Sequence, residues 1–439
     1  MNVCMFTNTY LPQIGGVARS VNFFSQDLCN LGHRVLVIAP TYAEEADFKD
    51  KQIEVLRVPA IQHFKGSDFS MRIPLPFIID KKIDAFKPDV IHSHHPYLLG
   101  DAALRAARRR RLPLIYTHHT LYEKYTHYVP LDSEQLQQFV IRLSTQYANF
   151  CTKVIAPSRS IAELIAERGV HAPIEEIPTG VDIRFFARGR GRRFRRAHNL
   201  SEDALIIGHL GRLAPEKNLD FLAESVAIYL KDQRKARFLV VGSGPSEADI
   251  RRIFETKGVA AQLLMAGSKT GDELADAYRA MNAFVFASQS ETQGMVLTEA
   301  MACGLPVIAL DASGVREVVV DRQNGRLLPP DATCRRFADA ISEVVNDPDK
   351  ANQWGKQARQ TAEKFSREIC ARRLAQTYQS VVRSRQSEVA SEELIPWDRL
   401  LEAVRVEWDL FFEKTAAAAK AIRDIEQSRK NKKQKFPEL

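Results

Sequence analysis

Several signals are missing from this chain, and each absence narrows what it can be. No apolar run reaches the ~18 residues that a bilayer-spanning helix needs. Met1 leads directly into the apolar Val3-Cys4-Met5-Phe6, without the basic segment and apolar core of a secretion signal. The six cysteines (Cys4, Cys29, Cys151, Cys303, Cys334, Cys370) are scattered, and no spacing suits a zinc site or a redox dithiol. Reduced thiols in a cytoplasmic protein are therefore expected. Acidic metal motifs are scarce as well. Asp347-Pro348-Asp349 is the one clear Asp-x-Asp, and a turn with a helix N-cap accounts for it. No metal is expected. The net charge of +8 comes with basic clusters at 105–111, 184–196 and 429–435. Aromatic residues are not interleaved with them as stacking platforms would be, so nucleic acid is set aside as a partner.

What is present is an alternation of strands and helices. Val3–Thr7 reads as a strand, Tyr10–Val17 as a loop with Gly15-Gly16, and Val21, Phe24, Leu28 and Leu31 as the apolar stripe of a helix ending at Gly32. His33–Pro40 is the next strand, which completes a parallel βαβ unit. Further strands are expected at 53–58, 88–95, 114–120, 153–158 and 174–182, with polar residues at their carboxyl ends. Phe185–Leu200, rich in Arg and Gly, is read as a linker. The alternation then restarts with strands at 204–210, 237–241, 263–267 and 283–288. The fold class is α/β: two doubly wound Rossmann-like domains facing across a cleft, plus a C-terminal helical extension. The expected divisions are 1–190, 200–365, a returning helix at 366–389 and an amphipathic tail at 390–439. In that tail Trp397, Leu401, Val404, Trp408 and Phe411 form a narrow seam suited to self-association.

The chemistry centres on 290–308. Ser290–Gly294 is a polar turn, Met295 begins a helix, and Gly304 with Pro306 ends it. A strand, a Gly turn and a helix start offer unpartnered amides to an anion. Glu291 and Glu299, at the two ends of this segment, would repel a phosphate. They fit hydroxyl groups on either side of one. Arg212 and Lys217 in one loop, the glycines around Gly242 and the helix after Gly294 supply enough positive character for a diphosphate. Together they describe a nucleotide diphospho-sugar as ligand. Among the histidines, strand alternation turns only one of His118 and His119 toward a ligand. His92, His94 and His95 read as structural.

Glu291–Glu299 with seven residues between, Gly211-Arg212-Leu213 followed by Glu216-Lys217-Asn218, Val241–Pro245, Ile177–Asp182 and Tyr10–Val17 resemble retaining nucleotide-sugar glycosyltransferases of family 4, with the GT-B fold. The resemblance covers nearly all of 1–385. It implies that Glu291 binds the donor hexose, helped by amides of Gly294, Met295 and Val296, and that Glu299 binds the ribose. Arg212 and Lys217 would hold the diphosphate and stabilise the departing nucleotide. Ser268 and Lys269 would lie at the base, Gly16 would approach the phosphate or acceptor, and His119 would stand close to the sugar. The segment 117–130 looks like a subgroup that glucosylates diacylglycerol, which implies acceptor contacts from Tyr122, Tyr125, His127 and Tyr128. A basic helix surface at 105–111 would suit an anionic membrane, placing the protein peripherally on the cytoplasmic face. The expected reaction is transfer of glucose from a UDP donor to a lipid. Another donor, a polysaccharide acceptor and a UDP-sugar epimerase of the same fold are the alternatives. No cofactor beyond the co-substrate is expected.

Overall fold

The computed structural model describes residues 1–13, 15–42, 52–61, 71–72, 76–124 and 133–389. They form two compact units. One comprises Met1–Pro157, Ile161–Ile177 and the chain from Ala371 on, and the other Ser158–Ser160 with Pro178–Cys370.

The first unit runs β1 (Asn2–Phe6), α1 (Gly16–Asn30), β2 (Arg34–Pro40), β3 (Glu54–Val58), a short β4 (Ala60–Ile61) and β5 (Met71–Arg72) pair, and α2 (Pro76–Phe86). It continues through β6 (Val90–Ser93), α3 (Leu99–Arg110), β7 (Leu114–Thr117), α4 (Glu134–Asn149), β8 (Lys153–Ala156), α5 (Arg159–Glu167) and β9 (Ile174–Glu176). Seven strands pair in the order β3-β2-β1-β6-β7-β8-β9, each pair parallel. The central strands β1 and β2 are near-continuous buried apolar runs, as befits a parallel sheet covered on both faces, while the edge strands β3 and β9 carry charged residues. Strand order reverses between β1 and β6, which makes their carboxyl ends the place where a doubly wound sheet opens a crevice.

The second unit begins with α6 (Ile183–Ala187) and α7 (Gly191–Ala197), followed by β10 (Leu205–Leu210), α8 (Leu219–Lys231), β11 (Ala236–Val241), α9 (Glu247–Thr256) and β12 (Leu263–Met265). Then come α10 (Gly271–Ala280), β13 (Ala283–Phe286), α11 (Met295–Ala302), β14 (Val307–Leu310), β15 (Gly325–Leu328), α12 (Cys334–Val345), α13 (Pro348–Lys364) and α14 (Arg367–Val389). The sheet order is β12-β11-β10-β13-β14-β15. Successive residues of one strand feed opposite cores. Ile206, Phe284 and Phe286 pack on one face, and Ile207, Ala283 and Val285 on the other. Here the order reverses between β10 and β13, so the loops leaving these two strands share the crevice of this unit.

The reading of 185–200 as a linker is overturned. The stretch folds as α6 and α7 and belongs to the second unit. Phe186 and Phe194 are buried in its core. Arg195 is 9% exposed, and its guanidinium donates to the carbonyls of Ala280, Ser201 and Ala204. The glycines serve contact rather than flexibility: a Cβ on Gly191 would lie 2.2 Å from the Arg279 carbonyl oxygen. The basic helix surface expected at 105–111 is compensated in part. Arg109 and Arg110 pair with Asp80 at 2.8 Å, and Arg110 with Asp84 at 2.8 Å, so α2 neutralises that part of α3. Asp347 is an N-cap as read, accepting from the Lys350 amide at 3.0 Å. Helix α14 starts in the second unit and from Ala371 belongs to the first, where its buried Tyr378 hydroxyl meets His92 Nδ1 at 2.7 Å. The tail 390–439 lies outside the described residues.

Candidate functional site

In the second unit the crevice is built by two loops. The loop leaving β10 closes in a single 3-10 turn, Pro215–Lys217. The loop leaving β13 ends at Gly294, which caps α11 in the left-handed conformation with φ 68°. A Cβ there would lie 2.9 Å from the Leu297 side chain and 3.2 Å from the Gly314 carbonyl oxygen, so both conformation and space require glycine. The first amides of α11 have no intrahelical acceptor. Gln293 holds this turn in place. Its amide oxygen accepts from the Thr179 amide at 2.7 Å and its Nε2 donates to the Thr179 carbonyl at 2.7 Å, both buried.

The two loops meet in an ion pair. Lys217 Nζ lies 2.6 Å from Glu291 Oε1, with 17% and 16% of the side chains exposed. Burial pushes the Glu291 carboxyl up, but the Lys217 ammonium outweighs it and holds the group below its usual range. Ser290 Oγ donates to the Glu216 carbonyl at 3.1 Å, a second tie between the loops. Arg212 stands half-exposed with Nη2 3.6 Å from Glu216 Oε1. Under the loops lies His209, buried and stacked beside Phe284 and Phe286. Its Nδ1 is 3.1 Å from the Val285 carbonyl, which fixes the proton on that nitrogen. Burial, offset in part by that carbonyl and by Glu291 and reinforced by Lys217, lowers its pKa to about 4.

One turn farther along α11, Glu299 is buried and its Oε2 accepts from the Tyr278 hydroxyl at 2.8 Å. Beside the crevice, Gly242 has φ 139°, and its Cβ position lies 1.9 Å from the Gly211 carbonyl oxygen. Gly242 therefore lets the Arg212 loop lie directly on the loop leaving β11. Ser268 Oγ and Ser243 Oγ are 2.9 Å apart, and Lys269 Nζ is 3.5 Å from Glu273.

In the first unit, histidines gather at the carboxyl ends of β6 and β7. His92 is saturated by Tyr378 and by Thr117 Oγ1, each at 2.7 Å. His95 Nδ1 accepts from the Asn8 amide at 2.9 Å. His94 Nδ1 and His119 Nε2 are 2.9 Å apart in stacked rings. His118 turns the other way, toward the Tyr116 hydroxyl at 3.3 Å. Burial lowers the pKa of His92 and His119 to about 3 and that of His118 to about 4, so all three are neutral near pH 7. At the start of α1, Gly16 has open space where a Cβ would stand, and neither it nor Gly15 has positive φ. Among the described residues no group of three or more His, Cys, Asp or Glu could hold a metal ion.

Two family models match this chain, "Glycosyltransferase Family 4" over 14–185 and "Glycosyl transferases group 1" over 191–361. A GDP-mannose-dependent alpha-mannosyltransferase of Mycobacterium tuberculosis is 30% identical over 79% of this chain and 89% of its own. The chain belongs to glycosyltransferase family 4. An alpha-monoglucosyldiacylglycerol synthase of Streptococcus pneumoniae is 29% identical over 74% of this glycosyltransferase and 75% of its own length. Among solved structures, a sucrose-phosphate synthase of Thermosynechococcus elongatus matches with TM-score 0.70 at 22% identity, covering 87% of this chain and 99% of that one. HepE of Anabaena in complex with UDP-glucose matches with TM-score 0.69 at 21% identity, covering 87% and 100%. These likenesses show the GT-B fold.

The fold brings Lys217 and Glu291 into contact, places Arg212 in the same loop, and sets Gly294, Met295, Val296 and Glu299 on one helix end. Gly242 is a packing glycine of this loop cluster, while Ser268 and Lys269 lie just after β12. Tyr122 is half-buried, edge-on to Tyr97 at 5.2 Å. Tyr125, His127 and Tyr128 lie outside the described residues. Four residues of these two clusters went unread in the sequence: Gln293, Tyr278 and His209 in the second unit, and His94 as partner of His119 in the first. Only His209 carried a local signal, a polar residue inside the apolar run Leu205–Leu210.

Proposed function

We propose that this glycosyltransferase moves glucose from UDP-glucose to a lipid hydroxyl such as that of diacylglycerol, with retention at the anomeric carbon and without a metal. The ion pair between Lys217 and Glu291 at the strand-order reversal carries the donor half of the reading. An ammonium has three donors, so Lys217 can keep Glu291 and still donate to a phosphate oxygen. With Arg212 and the first amides of α11 it would stabilise the charge that grows on the leaving diphosphate. Glu291 would accept from a sugar hydroxyl, and Glu299, oriented by Tyr278, from the ribose. The bond from the anomeric carbon to the phosphate oxygen breaks and the acceptor oxygen bonds to the same face. The acceptor proton passes to the departing phosphate. Neutral His119, hydrogen-bonded to His94, would contact the sugar, and the open space at Gly16 admits an anionic group to the start of α1.

The acceptor half rests on segment 117–130 and on relatives named alpha-monoglucosyldiacylglycerol synthase. No helix among the described residues is long and apolar enough to cross a membrane; with a lipid acceptor the protein would act peripherally, in our reading on the cytoplasmic face. A second reading, mannose from GDP-mannose, is favoured by the mycobacterial relative. The test is transfer from UDP-glucose, GDP-mannose and ADP-glucose into vesicles with and without diacylglycerol. Glucolipid formed from UDP-glucose only with diacylglycerol is expected. Preferential use of GDP-mannose, or sugar turnover with no acceptor, would overturn the proposal.

A further inference from the structure

After β1 the chain passes through Thr7–Gln13 at the carboxyl ends of the strands, where the first sheet opens its crevice, and α1 starts at Gly16. Irregular backbone keeps one shape only if neighbouring elements hold it. Arg57, from the edge strand β3, supplies several of those holds. It stands in register with Ala39 of β2. Its Nη2 donates to the Leu11 carbonyl at 2.6 Å and its Nη1 to the Pro40 carbonyl at 3.1 Å. The planar fork thus joins a carbonyl of the loop to the last residue of β2. The guanidinium carbon also lies 5.6 Å from the centroid of the Tyr10 ring and 5.9 Å from that of Tyr42, both within cation–π range. The two tyrosines carry the tie further. Tyr10 is fully buried, and its hydroxyl meets Asn22 Oδ1 of α1 at 3.3 Å. The Tyr42 hydroxyl donates to Gln13 Oε1 at 3.0 Å and accepts from the Tyr10 amide at 3.3 Å. One side chain of β3 therefore connects β2, the loop and, through Tyr10, α1.

We infer that Arg57 is a positioning residue for sugar transfer, one that fixes the loop ahead of α1 so that the start of this helix stays open to a reactant. Gly16 begins α1 with open space at its Cβ position, and that space persists only while the backbone leading to it keeps its course. Arginine suits this task and lysine does not. An ammonium is a point charge on a flexible stem, without the planar fork that serves two carbonyls while lying over aromatic rings. Arg57 acts through the loop and not on the reacting atoms. Loosening the loop still costs rate, because a misplacement of about 1 Å is felt strongly in the transition state. The inference rests on the reading that the start of α1 meets an anionic group of a reactant, and it depends on no choice of donor or acceptor.

Two arms test this on the full chain. The first follows hydrogen exchange in peptides covering 7–22, with β6 as reference. The second measures initial rates with whichever of UDP-glucose, GDP-mannose and ADP-glucose wild type transfers into diacylglycerol vesicles. Both compare wild type with Arg57→Gln, Arg57→Lys, Tyr42→Phe and Asp89→Ala. Asp89 accepts from the Asn2 amide at 2.7 Å at the other end of β1, so its loss lowers Tm without reaching the loop. In Arg57→Gln, exchange over 7–22 should quicken about tenfold or more, and kcat/KM should fall about tenfold or more. Arg57→Lys should recover part of both, and Asp89→Ala should keep the wild-type rate. Should Arg57→Gln not fold, Tyr42→Phe, which removes only the hydroxyl between Tyr10 and Gln13, decides in its place. The inference falls if exchange is unchanged, if exchange quickens while kcat/KM holds, or if Asp89→Ala loses as much rate at a comparable Tm. Gly16→Val, assayed for transfer, separates the two readings. Transfer lost there but kept in Arg57→Gln removes only the positioning role, and transfer kept in both removes the reading of the α1 start as well. If wild type transfers none of the three sugars, the proposed function falls and the exchange arm alone decides whether Arg57 holds the loop.

Discussion

Replacing Lys217 by Met removes the cation beside Glu291 while keeping most of the side-chain volume. Charges 2.6 Å apart attract by about 6 kcal/mol at an effective dielectric of about 20, and desolvation of both groups takes back much of this. What the single substitution leaves is a mostly buried carboxylate without its ammonium. Its cost has a ceiling, because the carboxyl can take up a proton instead. From the ordinary value of 4.5 to pH 7 that protonation costs 2.5 units at about 1.36 kcal/mol each, or about 3.4 kcal/mol. The expected loss at pH 7 is therefore about 2–3 kcal/mol, and it shrinks as the pH falls toward 4.5. Lys217→Met/Glu291→Gln should recover most of it. Urea unfolding of the four members of the cycle, with hydrogen exchange read at β13 and α11, measures the coupling. Transfer behaves differently: it falls more than tenfold in both the single and the double variant, because the leaving diphosphate has lost its cation. A coupling below about 0.5 kcal/mol would refute the structural half of this reasoning. Normal turnover in Lys217→Met would remove the residue from the mechanism.

Tyr278→Phe deletes the hydroxyl that orients Glu299 and should weaken nucleotide binding about tenfold. Glu299→Ala should weaken it further, and unchanged affinity for UDP in either, by calorimetry, would refute the ribose role. Gly242→Ala places a methyl on the Gly211 carbonyl at a φ that L-residues avoid. The expected loss is about 3 kcal/mol or more, and a change in Tm within error would show that the loop yields freely. His92 is held neutral in the fold, with its pKa lowered to about 3. Its contribution is complete above the unfolded value near 6.5 and is lost as pH falls toward 3, adding about 1.4 kcal/mol per pH unit to the acid slope. His92→Gln should flatten that slope between pH 6 and 4.5, and an unchanged slope would contradict the burial argument. Transfer should persist in excess chelator, and loss reversed by a divalent ion would overturn the metal-free mechanism.

Much of the fold was legible because its signals are local. Gly294 before Met295 and Gly304 before Pro306 bound α11 within a dozen residues, and short apolar runs marked most strands of both sheets. The misread stretch 185–200 shows the limit. Gly189 and Gly191 look flexible in isolation, yet they are glycines because α10 presses on them. Phe186, Phe194 and Arg195 likewise owe their burial to residues far along the chain. The pairing of Arg109 and Arg110 went unread for the same reason, since Asp80 and Asp84 have no sequence relation to them that periodicity could expose.

The sequence by itself determined which chemical groups the donor loops carry. Two glutamates at either end of a Gly turn and helix start, with an Arg and a Lys in another strand-exit loop, suit an anion with hydroxyl groups on both sides. Only the tertiary structure decided how those groups are held. Lys217 lies 74 residues from Glu291, Thr179 lies 114 from Gln293, and Tyr278 lies 21 from Glu299. Each contact exists because strand order reverses between β10 and β13, or because α10 and the 178–182 segment pack on α11. Residue type and spacing set what a loop can bind. Strand order and packing set which loops become neighbours, and no short-range pattern in the chain encodes that.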